Sequence, residues 1–282
     1  MALFEDVLLT VDYDRTLTGP DSAIPARNLE AIEYFKANGG TFTLNTGRST
    51  TTMRDLFQKV PVNAPFLLYN GSAFWENGKL SNLQLIDLPM WDTLNALHDA
   101  FPEMNLEIQA ADNHYLVDPK PEYIALYDKM KWRWAPAVPG EDYGPFIKFA
   151  IYGPVREVSL ADQYRRLPGD DARYEELIKF IDDRWGDKVD SFLATPRVLD
   201  IQGKGVSKGA AACKLKELLG KKILICMGDA PNDISMMDMA DHSFCPGDAT
   251  IADRYENVCN CGDGAVADVI YEKIPRILDL ET

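Results

Sequence analysis

Asp12 and Asp14 sit one residue apart at the end of an apolar run, and their spacing is the first sign of chemistry in this chain. On an extended strand end, alternate side chains point to the same side, so the two carboxylates face one way. Close carboxylates repel each other unless a cation lies between them. Magnesium suits such a pair, because it prefers carboxylate and carbonyl oxygen and leaves room for water and a phosphate. One carboxylate of the pair would then also act as a nucleophile. Taken alone, the pair is more often a solvated acidic turn.

Three further stations carry groups of the same chemical sense. Asn45-Thr46-Gly47-Arg48 puts a hydroxyl and a glycine at a strand-to-helix turn, where side chain and backbone N–H can bind a phosphate oxygen. A turn with an N-cap threonine is the plainer alternative. Gly205-Val206-Ser207-Lys208-Gly209 opens a helix with Ser207 as its cap. A lysine in the first turn is misplaced against the helix dipole, which suggests that Lys208 answers a nearby negative charge. Gly228-Asp229-Ala230-Pro231-Asn232-Asp233 adds two acids and an amide, with Pro231 suited to the first helical position. There Asp229 could complete a magnesium shell and Asp233 hold its waters from the second layer.

The elements that position these stations follow from apolar periodicity. Val7 to Val11 is short, apolar and ends in acids, as a strand buried on both faces does. Pro25 to Asn38 has helical spacing at Leu29, Ile32 and Phe35, and Gly39-Gly40 stops it. Thr41 to Leu44 and Pro65 to Tyr69 read as further strands. Alternating strands and helices imply right-handed crossovers and an α/β, doubly wound, mainly parallel sheet. Ligands of such sheets bind beyond the carboxyl ends of the strands, which is where all four stations fall.

The rhythm breaks after Asn70-Gly71. Asn77-Gly78 between two apolar-rich runs is a hairpin signal. Residues 83–200 then mix strands (105–109, 146–152, 191–194) with helices, of which 171–185 carries one apolar stripe. Alternation resumes near Ser207 with a helix over 208–219, a strand over 222–227, a helix from Pro231, a short strand near Ser243 and a last helix from Gly264. The sequence therefore predicts a split core, residues 1–82 and 201–282, around an inserted α/β domain at 83–200.

Composition narrows the class of partner. The 282 residues are 46% hydrophobic and 26% charged, as in ordinary globular proteins. A net charge of −15 argues against nucleic acid and anionic membranes, and leaves a small molecule as the expected partner. No run reaches the roughly 18 apolar residues of a bilayer span. The acidic N-terminal stretch does not read as a secretory signal, so a cytoplasmic location is expected. The five cysteines form no Cys-x-x-Cys pair and the three histidines no His-x-x-x-His spacing, which leaves zinc chemistry little support. Sequence patterning gives no oligomeric state.

These motifs resemble those of the haloacid dehalogenase (HAD) superfamily. DYDRT is similar to its Asp-x-Asp-x-Thr signature, NTGR to its second motif, GVSKG to its lysine motif and GDAPND to its fourth. The order Thr-Gly-Arg, Tyr-Asn-Gly at 69–71, a long insertion and Val-Ser-Lys-Gly is similar to the Cof-type subgroup. That group carries a large α/β cap at the position of residues 83–200. This chain departs from it at Arg15, where most members have glycine.

The resemblance implies a Rossmann-like core and a magnesium-dependent phosphatase. Asp12 would attack phosphorus and form an aspartyl-phosphate, while Asp14 would serve as general acid and then base. Magnesium would be held by Asp12, Asp14 through its carbonyl, and Asp229, with Asp233 in support. Thr46, Gly47, Lys208 and Asn232 would hold the phosphate. Arg48 and Arg197 are candidate substrate contacts, and Lys129, Lys131, Trp132 and Trp134 are weaker ones in the cap. A small phosphorylated metabolite, such as a sugar phosphate, is the expected substrate. A phosphomutase of the same superfamily and a non-catalytic phosphometabolite-binding protein are the competing readings.

Overall fold

The computed structural model describes residues 2–280. In chain order it opens with β1 (Val7–Val11), α1 (Ala26–Ala37), β2 (Thr41–Leu44), α2 (Thr50–Met53), β3 (Phe66–Leu68), β4 (Ala73–Glu76) and β5 (Lys79–Ser81). There follow α3 (Met90–Ala100), β6 (Asn105–Ala110), β7 (His114–Val117), α4 (Pro121–Met130), β8 (Trp134–Pro136) and β9 (Phe146–Tyr152). Then come α5 (Asp170–Trp185), β10 (Val189–Thr195) and β11 (Val198–Gly203). The chain closes with α6 (Lys208–Leu218), β12 (Ile223–Met227), α7 (Ile234–Met239), β13 (His242–Pro246), β14 (Glu256–Val258), α8 (Ala265–Asp268) and α9 (Ile274–Ile277).

Two compact units result. The split unit takes the residues up to Gly47, Asp55–Ser81 and everything from Ser207 on. Its five-stranded sheet has the order β14-β13-β12-β1-β2, every pair parallel. An isolated parallel bridge between Asn45 and Leu67 brings β3 alongside β2. All five residues of β1 are buried, as a strand covered on both faces must be. Leu8 packs on one face with Leu67, Leu215, Leu224 and Met236. Fully burying a leucine of this kind stabilises by about 1.5–3 kcal/mol. The Asn77-Gly78 turn joins β4 to β5 with both residues at positive φ, as such hairpins need.

The inserted unit takes Asn82–Val206 together with Arg48–Arg54. Its sheet runs β10-β11-β9-β6-β7-β8, antiparallel except for the β7–β8 pair. Alternation sorts its two faces: Leu106, Ile108, Phe149, Ile151, Leu199 and Ile201 pack into one apolar core with α3 and α5 residues such as Leu97 and Leu177. Glu107, Lys148 and Asp200, also buried, carry charge on the other face.

The boundaries differ from the sequence-based ones in three places, the smallest being Asn82, which falls in the inserted unit. Residues 201–206 belong to the inserted unit because β11 is hydrogen-bonded to both β9 and β10. Residues 48–54 join it because the Thr50 hydroxyl donates to the Ala111 carbonyl (3.1 Å) and Ser49 meets His114. Among the described residues, no helix is long and apolar enough to cross a membrane.

Candidate active site

The site grows from the carboxyl ends of β1 and β12, neighbours in the sheet at the point where the strand order reverses. Val11 lies level with Met227, so Asp12, one residue on, and Asp229, two residues on, leave the sheet at neighbouring strand ends. The Asp12 N–H donates to the Met227 carbonyl at 2.9 Å. Past Asp12 the chain makes one wide turn, in which the Leu17 N–H reaches the Asp12 carbonyl and the Thr18 N–H that of Tyr13. Inside this turn Arg15 takes a left-handed backbone, φ 59° and ψ 12°.

On the β12 side, Gly228 admits no other residue. A Cβ there would lie 2.3 Å from that of Asp233. The close approach lets one Asp233 oxygen accept the backbone N–H groups of Asp229 (2.9 Å) and Ala230 (3.0 Å). The other Asp233 oxygen faces Lys208.

Lys208 enters from the first turn of α6, whose cap Ser207 accepts the Ala210 N–H at 3.1 Å. The lysine is only 1% exposed, and its Nζ donates at 2.6 Å to both Asp12 Oδ1 and Asp233 Oδ1. The charge that its place in the helix implied is therefore there.

Carboxylate oxygens of Asp12, Asp229 and Asp233 all lie within 4.8 Å of one another, and all three residues are buried. Three acids against one lysine leave two negative charges. Burial pushes the Asp12 carboxyl up to about 7; Lys208 pulls it down, while Asp233 and Asp14 push it further up. Burial also raises Asp229 well above the carboxylate range, with Asp233 and Asp12 adding to it. Burial alone would discharge Lys208, but Asp12 and Asp233 more than offset this and raise its pKa. The cluster is short of positive charge, and its donors are hard oxygens. It fits a divalent cation.

Around this nest stand the neutral groups. The Thr16 hydroxyl points to Asp229 Oδ1 at 3.4 Å. Asn45 ties β2 to α6 by donating to the Lys208 carbonyl at 2.8 Å. Thr46 and Gly47 follow it, with Thr46 fully buried. Asn232 donates to Asn70 Oδ1 at 3.3 Å, and the same Asn70 oxygen would lie 2.7 Å from a Cβ on Gly47. Asn70 thus joins the second station to the fourth, a role that the sequence reading did not give it. Its signal was present: an Asn-Gly pair at the end of a strand, with Asn70 at φ 52°.

The structure collects Asp12, Asp14, Thr46, Gly47, Lys208, Asn232, Asp229 and Asp233 in the split unit and leaves Arg48 and Arg197 to the inserted one. Arg48 is half-buried, and its charge acts on Tyr152. Arg197 needs a correction as a substrate contact. It is 2% exposed, with its guanidinium 2.9 Å from Asp162 and 3.2 Å from Asp170, and it donates to the Pro154 carbonyl at 2.5 Å. A guanidinium so committed ties the strand end at residues 153–154 to α5. Lys129 donates to the Val158 carbonyl, Trp134 to Asp128, and Trp132 packs edge-on against Tyr127. Lys131 closes α4 in a left-handed conformation.

The inserted unit also holds a second buried polar cluster, around Glu107. Tyr123 donates to Glu107 Oε2 at 2.7 Å, and Tyr127 and Gln109 donate to the same carboxylate. Since the Tyr127 proton goes to Glu107, its oxygen receives the His114 Nδ1–H at 2.9 Å. His114 Nε2 is then the acceptor for the Ser49 hydroxyl, at 2.6 Å.

The sequence profile of the haloacid dehalogenase-like hydrolases matches residues 9–252. A 5-amino-6-(5-phospho-D-ribitylamino)uracil phosphatase of Bacillus subtilis is 24% identical over 250 residues, covering 87% of this chain and 86% of its own. A pyridoxal phosphate phosphatase of Escherichia coli is 22% identical over 274 residues, covering 95% and 98%. Among solved structures, a haloacid dehalogenase-like hydrolase from B. subtilis superposes with a TM-score of 0.78 at 16% identity, covering 94% of this chain and 99% of that one. With its α/β sheet and its acidic nest at the strand ends, the chain belongs to the haloacid dehalogenase-like hydrolase family.

Proposed function

We propose that the protein is a magnesium-dependent phosphatase of a small phosphorylated metabolite, a sugar phosphate or similar monoester, working through an aspartyl-phosphate on Asp12. The observation that carries this reading is the 2.6 Å contact of Lys208 with both Asp12 and Asp233, beside a third buried acid, Asp229, whose carboxylate lies within 4.8 Å of theirs. The phosphate-ester activities that relatives bear in their names point the same way.

In this reading Asp12 Oδ attacks phosphorus and the ester oxygen leaves with a proton from Asp14. Asp14 then takes a proton from water, whose oxygen attacks the phosphorus and frees Asp12 with inorganic phosphate. Lys208 holds Asp12 ionised and neutralises a phosphoryl oxygen, while Thr46, the Gly47 N–H and Asn232 orient the group. A bound magnesium ion would supply Lewis-acid charge neutralisation, held by Asp12, Asp229 and the Asp14 carbonyl, with Asp233 in support. Asp233 is already spent on two backbone N–H groups and Lys208, which suits that supporting place. The inserted unit acts as the cap that chooses the substrate, with Arg48 as a contact.

Phosphate release from a panel of monoesters, with and without magnesium, tests the reading. Quenching during turnover should leave a phosphorylated Asp12 in the digest. Steady hydrolysis by the Asp12→Asn variant, or bisphosphate-dependent isomerisation without net release, would overturn it.

A further inference from the structure

Arg15 takes the left-handed backbone conformation that glycine prefers, φ 59°. A left-handed residue with a Cβ costs about 1 kcal/mol or more, so the guanidinium is kept in spite of the strain. Its Nε lies 3.9 Å from Asp229 Oδ2 and its Nη2 3.7 Å from Asp248 Oδ2. The group therefore leans on one acid of the nest and one acid outside it. Asp248 is itself fixed, accepting the Cys261 N–H at 2.9 Å and the Cys261 thiol at 3.2 Å.

We propose that Arg15 is a tethered counter-cation of the nest: it positions and balances Asp229 while no divalent ion is bound, and loosens the hold on the ion once one arrives. This rests on the reading of the nest as a divalent-cation site. Lys208 alone cannot balance three buried acids, and Arg15 is the next cation beside Asp229. Its charge cannot be discharged by losing a proton. An ion that takes Asp229 must therefore meet a like charge a few ångströms away, and Asp248 gives the guanidinium somewhere to retreat. With the Arg15 side chain 38% exposed, solvent screens the repulsion without removing it.

The test uses Mn2+ as the probe, with free ion counted by its electron paramagnetic resonance signal and Asp229→Asn as the blank for uptake elsewhere. Arg15→Gln removes the charge and keeps the strained backbone; Arg15→Gly removes both. Both should bind Mn2+ about three- to tenfold more tightly than the parent, and less so at high salt. Asp248→Asn, which takes away the retreat, should bind more weakly, and its effect should shrink below about twofold in the Arg15→Gln background, as a coupled pair requires. Equal affinity of Arg15→Gln and the parent overturns the proposal, as does tightening by Arg15→Gly alone, which would be backbone relief. If the parent takes up no more Mn2+ than the Asp229→Asn blank, the cation-site reading itself fails and takes the proposal with it.

Discussion

The inserted unit buries Arg197 between Asp162 and Asp170, whereas the split unit buries Lys208 between Asp12 and Asp233 with Asp229 alongside. In the first knot the guanidinium also donates to the Pro154 carbonyl, and in the neighbouring Glu107 cluster a buried carboxylate is satisfied by three neutral donors. In the second, acids outnumber the lysine and push one another's pKa upward. Burial is thus no guide to role. A buried cation that also holds a backbone carbonyl ties the fold together, while one crowded by three acids leaves a place for a further cation.

The widest separation between the two should come from Lys208→Met and Arg197→Met. Lys208→Met strands Asp12 and Asp233, so it should cost about 3–5 kcal/mol in urea unfolding and lower kcat about 10³-fold or more. Arg197→Met should cost about 3 kcal/mol for the same reason yet leave KM and kcat of the folded fraction within about twofold. A large KM change with intact stability would return Arg197 to the substrate contacts.

Asp229→Asn sharpens the contrast with a reversed sign. Removing one repelling acid should raise the stability of the metal-free protein by about 1 kcal/mol, while abolishing the thermal upshift that magnesium gives the parent. The smallest effect concerns His114. Burial lowers its pKa below the ordinary 6.5, so the folded protein keeps it neutral while the unfolded chain takes up a proton. Its contribution is full above pH 6.5 and fades as pH falls toward the lowered value. Stability should therefore fall between pH 7 and pH 6, and a His114→Gln variant should lack that share of the slope in urea midpoints.

The clustering of Asp12, Lys208, Asp229 and Asp233 was legible in the sequence because each follows a strand, next to its own local signal. Asp12 follows a β-branched apolar run, and the awkward first-turn place of Lys208 already demanded an acid. The sequence-based boundary at residue 200 cut β11 in two, because its neighbours β9 and β10 decide its place and pairing partners leave no mark in a local window. Arg197 looked like a ligand contact for the same reason: Asp162 lies 35 residues away. The Ser49–His114–Tyr127–Glu107 chain joins four segments with no shared period, so nothing in the sequence announced it.

The pairing of β1 with β12 carries a consequence for synthesis on the ribosome. Thr10 meets Cys226 across 216 residues, and Asp12 meets Lys208 across 196. A nascent chain thus holds β1 without a partner on that side while the whole of 82–206 emerges. That stretch has its own sheet and apolar core, so it can condense first, whereas closure of the long loop is slow. Until β12 arrives, Asp12 has neither its lysine nor Asp229. A released fragment that stops short of residue 208 therefore lacks both, and the acidic nest closes only once α6 and β12 have emerged.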